Sequence, residues 1–473
     1  MSAQQYDMRA DGTGLNPSPL RGGAGEGVGQ PRQASRPATP TLPLEGGGSV
    51  PLTIVICLDH ASVTGGQAKV AFDSAIGLKA AGHRPIVFAA AGPVDPLLRD
   101  NGIEVVCLGQ TDLLGASSKL KGAAQGIWNT GARRALANLL AGMPSDRTIV
   151  HVHGWAKALS PSIAPAIRAS RLPAIFTLHD YFLFCPTGGF YDYNAHELCE
   201  RKPLGAACLA ANCDAVSYPR KIWRSARLAM ANGLVGLRDV FSDFICISNV
   251  QRDIVAPYLP KNRRVHAISN PVGADDLGPK AEPASGEIVF VGRVSPEKGP
   301  LLFAEAARTI GMVPTFVGDG PAADELRQKY PEARVLGWQK PEDARQALRA
   351  ARALVFPSRW YEGQPLTVLE AKAAGTPVIV SDVCAGREEI VDGETGLWFK
   401  SGDAGDLARA LQVMQDDSVV RRMSNASYAA YWRDPPTLAR HVARLEKAYR
   451  GMLAGAPQDI AESATGEAAC VSP

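Results

Sequence analysis

Short apolar runs rich in β-branched residues alternate along this chain with stretches whose apolar residues recur at helical spacing. The first run, residues 51–58, is apolar throughout, as is typical of a strand buried on both faces of a parallel sheet. A Gly65-Gly66 turn follows, and residues 67–81 then have helical spacing. This alternation predicts parallel sheets built from strand–helix–strand units.

The predicted strands form two series, separated by a Pro- and Gly-containing segment at residues 270–273. The first series comprises residues 51–58, 84–90, 101–107, 148–153, 174–179, 243–248 and 265–268. The second comprises residues 287–292, 314–318, 333–337, 353–357 and 377–381. The break predicts two domains, 51–272 and 273–425, followed by a helical region, 426–454. Such sheets bind ligands at the carboxyl ends of their strands, so we expect the site in a cleft between the domains.

The two ends of the chain differ in composition from the rest. Residues 1–50 are rich in Gly, Pro, Ser, Gln and Arg, and residues 455–473 are similar, so both are predicted to be disordered tails. The N-terminus lacks a basic segment followed by an apolar stretch, and no run approaches the roughly 18 apolar residues of a membrane span. We therefore expect a cytoplasmic protein.

The overall composition is that of a folded protein with nearly balanced positive and negative charges. Of the 473 residues, 46% are hydrophobic and 21% are charged, which fits two domains plus tails. The formal charge of +3 gives no reason to expect nucleic acid as a partner. Nine cysteines in a cytoplasmic chain favour free, metal-bound or catalytic thiols over a disulfide framework.

The most informative segment of the second domain is residues 357–375. A loop after a predicted strand carries Glu362 and Gly363, and Pro365 suits the first turn of a helix. The free amides at such a helix N-terminus favour an anion or sugar hydroxyls. Glu370 lies within the helix among apolar neighbours, where an unpaired carboxylate is costly, although it can also be an ordinary solvated helix residue.

Two cations flank the turn that follows the first strand of the second domain. Arg293 and Lys298 can together clamp a diphosphate, the arginine as a fork and the lysine as a point charge. The alternative is a pair of unrelated surface cations. The same domain also contains the predicted anion-binding helix N-terminus near Gly363, and this second feature favours the diphosphate clamp.

The order of these motifs resembles the retaining glycosyltransferases of family 4, whose fold is called GT-B. The matching elements span residues 287–403 and are Gly292-Arg293, Lys298-Gly299, Gly318-Asp319-Gly320-Pro321, Pro357-Ser358, Glu362 with Glu370, Gly375-Thr376-Pro377-Val378 and Asp392-Gly393-Glu394-Thr395-Gly396. The resemblance implies an α/β protein with two doubly wound Rossmann-like domains facing a central cleft. The first domain would lie on the acceptor side, the second would bind the nucleotide sugar, and the helical region 426–454 would cross back to the first.

The same resemblance implies roles for individual residues. The diphosphate would contact Arg293 and Lys298, the ribose Glu370, and the sugar Glu362 with the amides near Gly363. The implied donor site comprises Gly65, Gly66, Arg293, Lys298, Glu362, Gly363, Gln364, Leu366, Thr367 and Glu370. The implied catalytic residues are His179, Glu362, Arg293 and Lys298, while His151 and His153 are expected to be structural or to face the acceptor.

A mechanism follows from these assignments. No Asp-x-Asp motif follows a strand, so Arg293, Lys298 and the helix N-terminus are expected to stabilise the leaving diphosphate without a catalytic metal. No carboxylate nucleophile is evident in the first domain, and the resemblance implies retention by attack on the leaving group's own face. The alternatives are a sugar-nucleotide epimerase, a phosphorylase and a catalytically silent sugar-nucleotide-binding protein.

The resemblance suggests a UDP- or GDP-sugar as the donor and a glycan or lipid-linked acceptor in bacterial surface polysaccharide or glycolipid synthesis. Peripheral contact with the inner face of the membrane is one hypothesis. In a predicted helix, Arg220, Arg224 and Arg227 lie on one side, and apolar residues such as Ile222 and Trp223 lie on the other. Ordinary core packing beneath a solvated face is the favoured interpretation.

Four cysteines fall within 29 residues after His179: Cys185, Cys199, Cys208 and Cys213. The segment is broken by glycines and is predicted to be a long irregular loop. Four thiolates can hold a structural zinc, but the spacing lacks paired Cys-x2-Cys units, so free thiols are an equal alternative. An iron–sulfur cluster and disulfides also remain open.

Overall fold

The computed structural model describes residues 50–113, 115 and 118–455. The two predicted tails lie, apart from one residue each, outside the described residues. Within the described ranges the chain forms two parallel sheets, a short antiparallel hairpin and the helices that surround them. The predicted α/β fold class, with two doubly wound sheets, is confirmed.

The first sheet consists of seven parallel strands. They are β1 (Thr53–His60), β2 (Arg84–Ala91), β3 (Glu104–Gln110), β4 (Thr148–Val152), β5 (Ala174–Leu178), β8 (Asp243–Cys246) and β9 (Arg264–Ala267). Their order is β3-β2-β1-β4-β5-β8-β9, so the direction of winding reverses between β1 and β4. Loops at the carboxyl ends of strands beside such a reversal diverge and leave a crevice for a ligand.

The second sheet repeats this arrangement with six parallel strands. They are β10 (Ile288–Val291), β11 (Thr315–Val317), β12 (Arg334–Val335), β13 (Ala353–Phe356), β14 (Val378–Ser381) and β15 (Gly396–Phe399). Their order is β12-β11-β10-β13-β14-β15, with the reversal between β10 and β13. The sequence patterns did not predict β15, whose four residues include the half-exposed Trp398.

The helices mostly connect successive parallel strands, and several begin at side-chain caps. They are α1 (Gly66–Ala80), α2 (Pro96–Asp100), α3 (Lys119–Ile127), α4 (Thr130–Leu140), α5 (Ile163–Ser170), α6 (Ala206–Ala210), α7 (Tyr218–Ala229), α8 (Asn249–Val255), α9 (Pro300–Thr309), α10 (Ala323–Lys329), α11 (Pro341–Ala350), α12 (Leu366–Ala373), α13 (Ala404–Val413), α14 (Asp417–Arg433) and α15 (Leu438–Leu453). Ser248 caps α8 by accepting from the amide of Gln251 at 3.1 Å, and Asn129 caps α4 in the same way.

The last helix packs in the core of the first sheet rather than the second. Val442, Leu445 and Tyr449 of α15 share a buried cluster with Ile54 and Ile56 of β1. The helix approaches α1 closely, because a Cβ on Gly77 would lie 2.6 Å from Cγ2 of Val442. The chain therefore returns from the second sheet to the first before the described residues end.

The segment between β5 and α7, residues 181–216, is called the insertion below. Two short antiparallel strands, β6 (Tyr191–Asp192) and β7 (Glu197–Leu198), form a hairpin in it, and α6 follows. The prediction of a wholly irregular loop is therefore wrong. Strands of two residues are too short to leave a periodic pattern in the sequence.

Two of the three arginines of helix α7 have partners inside the protein. Arg227 is buried and donates to the carbonyl oxygen of Ala156 at 2.6 Å, and Arg224 pairs with Asp214 at 3.0 Å. Ile222, by contrast, is exposed. Arg224 and Arg227 are therefore engaged within the protein, so the three arginines do not form one outward-facing row, and membrane contact stays a prediction. Across the described ranges, no helix combines the length and apolarity needed to cross a bilayer.

Candidate functional site

Two loops at the carboxyl ends of neighbouring strands are joined by their backbones. The loop after β10 carries Glu297, and the loop after β13 carries Arg359, whose amide donates to the Glu297 carbonyl oxygen at 2.8 Å. Gly299 has a φ of 69°, and a Cβ there would overlap the carbonyl oxygen of Pro357. Glycine therefore permits the close approach that brings Lys298 to the second loop.

Glu362 is the centre of this junction. Its Oε1 accepts from the Lys298 ammonium, from Ser358 Oγ at 2.8 Å and from Trp360 Nε1 at 2.6 Å. The carboxylate is only 9% exposed, which makes a charged partner necessary. Among the described residues, nothing hydrogen bonds to Oε2, so this oxygen can accept from a ligand hydroxyl.

Arg293 lies beside this junction, at the carboxyl end of β10. Its side chain is exposed and forms no hydrogen bond or ion pair with the part of the chain that is described. An exposed guanidinium on the same loop as Lys298 is suited to an anionic ligand. Of the two predicted cations, Lys298 is paired with Glu362, whereas Arg293 has no side-chain partner among the described residues.

Glu370 is half-buried on α12 and lines a pocket of about 400 Å3 between α11 and α12. Burial raises the pKa of its carboxyl group, and the positive charges of Arg345 and Lys69 partly oppose this increase. The pocket is also lined by the segment that connects the two sheets, including Asp275. A carboxylate in this position can accept from hydroxyls of a ligand that fills the pocket.

Two of the predicted donor-site side chains are engaged elsewhere. Gln364 accepts from the amide of Asn270 at 2.7 Å, and Leu366 packs in a cluster with Val272 and Leu369. Thr367 is half-buried on the first turn of α12. Gly363 lies against the first domain, where an added Cβ would be 3.0 Å from Cδ1 of Ile247. The side chains of Gln364 and Leu366 are therefore already engaged within the protein.

In the first domain, Gly65 and Gly66 form the start of α1. Both are exposed, and a Cβ added to either would meet no atom within 4 Å. Their backbone is therefore accessible to a ligand above the helix N-terminus. These are the two glycines that the resemblance to family 4 assigns to the donor site.

His179 follows β5 and belongs to a row of neutral histidines. Its Nε2 lies 2.9 Å from Nδ1 of His153, and the two rings stack with centroids 5.1 Å apart. His151 lies between Tyr449 Oη and Thr177 Oγ1, each at 2.7 Å. Burial lowers the pKa of His179 to about 3 and that of both neighbours well below the usual value. His179 is therefore a neutral hydrogen-bonding group rather than a cation.

The two domains contact one another around this junction. Glu388 of the second domain accepts from the amides of Asn249 and Val250 and so caps α8 of the first. The insertion also takes part, because a Cβ on Gly189 would lie 3.1 Å from Cε3 of Trp360. Ser358 was recognised in the sequence only as part of a motif, and neither Glu388 nor Trp360 was predicted to have a role, although Trp360 lies inside the segment 357–375.

The cysteines of the insertion are free thiols. Over the residues with described positions, no group of three or more His, Cys, Asp or Glu side chains is placed to hold a metal ion. Burial raises the pKa of Cys213 to about 11 and also raises that of Cys208, so both keep their protons at neutral pH. This arrangement lends no support to a zinc site and is that of free thiols.

Comparisons with known proteins agree with the geometry. Residues 64–276 match the family described as Glycosyltransferase Family 4, and residues 285–417 match the family described as Glycosyl transferases group 1. Together these two matches extend over both sheets apart from β1, and over the Lys298 to Glu362 junction.

Curated relatives match over part of their length. An Escherichia coli protein named UDP-Gal:alpha-D-GlcNAc-diphosphoundecaprenol alpha-1,3-galactosyltransferase is 30% identical over 207 residues, which are 38% of this chain and 53% of the relative. The lipopolysaccharide core biosynthesis glycosyltransferase LpsE of Rhizobium meliloti is 31% identical over 41% of this chain and 59% of its own. The chain thus spans a little over half the length of these relatives.

Solved structures match over nearly their whole length. The Anabaena protein HepE in complex with UDP has a TM-score of 0.59 at 14% identity, with 84% of this chain and 99% of that chain covered. At that identity the likeness concerns the fold alone. On the two family matches and this fold, the chain belongs to glycosyltransferase family 4, within group 1, and has the GT-B architecture.

Proposed function

We propose that this protein is a retaining glycosyltransferase that moves a sugar from a nucleotide-sugar donor to a hydroxyl acceptor. The observation that carries the proposal is the ion pair between Lys298 and the buried Glu362, whose Oε2 has no hydrogen-bond partner among the described residues. A hydroxyl-accepting oxygen held by a lysine, with the exposed Arg293 on the same loop, suits a molecule in which a sugar is joined to a diphosphate.

Each part of a nucleotide sugar has a counterpart in the proposed site. Arg293 and Lys298 would hold the diphosphate, assisted by the amides at Gly65 and Gly66, and Glu370 would accept from the ribose hydroxyls. The C-terminal domain, 273–425, would therefore bind the donor, and the N-terminal domain, 51–272, would receive the acceptor.

Bond cleavage at the anomeric carbon leaves negative charge on the diphosphate and positive charge on the sugar ring. Arg293 and Lys298 would stabilise the leaving group, which makes a catalytic metal unnecessary in this proposal. His179, being neutral, would hydrogen bond to the sugar without adding repulsive charge near the developing cation. The acceptor would attack on the face that the diphosphate leaves.

The relatives' names support a more specific setting. The Escherichia coli relative is named for transfer from a UDP-sugar to a diphosphoundecaprenol-linked sugar, and LpsE for lipopolysaccharide core biosynthesis. We infer that this chain uses a UDP- or GDP-sugar, with a glycan or lipid-linked acceptor of a bacterial cell surface. Work at the inner face of the membrane would follow from a lipid-linked acceptor.

Replacing Glu370 with Ala is expected to weaken donor binding about tenfold to a hundredfold, because a charged acceptor of two ribose hydroxyls is lost. Calorimetric titration with UDP-, GDP-, ADP- and dTDP-sugars measures this effect and identifies the base. Glu325→Ala removes an exposed carboxylate from α10 of the same domain and should leave affinity unchanged.

An unaltered donor affinity in Glu370→Ala would remove the ribose role. If no nucleotide sugar binds the well-folded wild type, a catalytically silent scaffold becomes the better account of this chain.

A further inference from the structure

The first residue of the insertion, Tyr181, carries a buried hydroxyl with no hydrogen-bond partner among the described residues. Its side chain is only 2% exposed. A polar group left unpaired in the interior is costly, so nearly all such groups have a partner in a working protein. A ligand is one way to supply that partner.

The position of Tyr181 is fixed by its surroundings. Its amide donates to the Gly188 carbonyl oxygen at 3.1 Å, and its own carbonyl accepts from the amide of Cys185 at 2.7 Å. Its ring meets Phe190 edge to face, with centroids 5.4 Å apart at 70°. Backbone and ring therefore hold the hydroxyl in one direction, as a contact that selects between ligands requires.

The charge that acts most on this hydroxyl is Glu362, across the interface between the domains. Burial raises the pKa of Tyr181 well above its usual value, and the Glu362 carboxylate raises it further. The phenol thus keeps its proton and remains a donor. The insertion contacts the same loop at Gly189, which lies against Trp360, the residue that donates to Glu362.

Between a phenol that donates and a carboxylate oxygen that accepts, the fitting partner is a group that does both. A sugar hydroxyl can accept from Tyr181 and donate to the unpartnered Oε2 of Glu362. A sugar without that hydroxyl would leave the buried Tyr181 phenol and Oε2 of Glu362 without it as a partner, and sites of this kind discriminate strongly against the deoxy analogue.

Resting on the proposed function, we propose that the Tyr181 hydroxyl is a specificity-determining contact to one hydroxyl of the donor's sugar ring, shared with Glu362. The insertion then has a defined task, because it brings a residue of the first domain to the sugar held by the second. The ligand class is a hexose whose ring carries a free hydroxyl at the shared position.

The test compares Tyr181→Phe with wild type by calorimetric titration of UDP-glucose, UDP-galactose and GDP-mannose. The same titration then uses analogues of the hexose that binds, each with one ring hydroxyl replaced by hydrogen. Tyr191→Phe is the matched control, since that hydroxyl of the insertion is also buried and has no hydrogen-bond partner in the described part of the chain, but lies near Arg359 and Glu297.

We expect Tyr181→Phe to bind the intact donor roughly three- to tenfold more weakly, as for the loss of one neutral hydrogen bond. One deoxy analogue should bind wild type and Tyr181→Phe equally, because both partners of the bond are then already missing. Tyr191→Phe should match wild type with every ligand, and thermal unfolding of each variant checks its folding.

The inference is overturned if Tyr181→Phe binds the intact donor as wild type does, or if it loses the same factor with every analogue, as a merely structural residue would. The same pattern in Tyr191→Phe would also overturn it. If the folded wild type binds none of the three probes, the proposed donor site itself fails. If wild type binds a probe and Tyr181→Phe binds it equally well, only the role of Tyr181 fails.

Discussion

Replacing Glu362 with Gln is expected to reduce the rate of sugar transfer by about a hundredfold to a thousandfold. The carboxylate oxygen Oε1 accepts from Lys298, Ser358 and Trp360 at once, and an amide cannot neutralise the ammonium. Lys298 would then lie half-buried without its counter-charge and would no longer be held where the leaving diphosphate develops charge. The loss should appear mainly in kcat, because the pair acts on charge formed in the transition state.

Steady-state kinetics with the donor identified by titration measure this effect. Glu389→Gln is the control, because it removes another carboxylate paired with a lysine of the same domain, Lys372, at 3.2 Å. If Lys298 and Glu362 act as a unit, Lys298→Met combined with Glu362→Gln should be little worse than either change alone. A Glu362→Gln enzyme within threefold of wild type would refute the central role given to this pair.

Acidification from pH 7.5 to 5 is expected to lower the free energy of unfolding by several kcal/mol. Four buried or half-buried histidines are kept neutral in the folded protein: His151, His153, His179 and His441. Burial is the main cause in each case. It lowers the pKa of His179 to about 3 and that of His441 to about 4.

The direction follows from proton binding. Below about pH 6.5 these histidines take up protons in the unfolded chain but not in the folded one, so stability present above that pH is lost as the pH falls. Each contributes about 1.4 kcal/mol per pH unit over this window. Asp180 opposes the trend, since burial raises its pKa to about 6 and the folded state then binds a proton that the unfolded state lacks.

Urea unfolding at half-unit pH intervals measures the slope. In His153→Asn, where the amide can still hydrogen bond to His179 without titrating, the slope should fall by about 1.4 kcal/mol per pH unit. His196→Asn alters an exposed histidine of the insertion and should leave the slope as in wild type. A stability that is constant between pH 7.5 and 5 would contradict the neutral histidine row.

Much of the fold could be predicted because its signals are local. The buried parallel strands are continuous apolar runs, as at residues 288–291, and glycines or prolines mark the turns between them. The hairpin of the insertion and the short β15 were not predicted, because two to four residues cannot establish a periodicity in the sequence.

The site could be predicted only in part. The ordered motifs predicted Lys298, Glu362 and Glu370 as separate ligands of the donor, but no spacing indicates that the first two form one ion pair. That contact depends on Gly299, which lets the loops after β10 and β13 touch.

Helix α7 and Tyr181 show which features could not be predicted from the sequence alone. Helical spacing predicted that the arginines of α7 lie on one side of the helix and its apolar residues on the other. It could not predict which side faces inward. The answer lies in distant partners: Arg227 packs over Trp155 and donates to the carbonyl of Ala156. Sequence alone thus determined the elements, their order and the chemistry of the motifs, which are properties of neighbouring residues. Only the tertiary structure decided which polar atoms are paired and which, like the Tyr181 hydroxyl, have no partner among the residues it describes, because pairing depends on contacts between segments far apart in the chain.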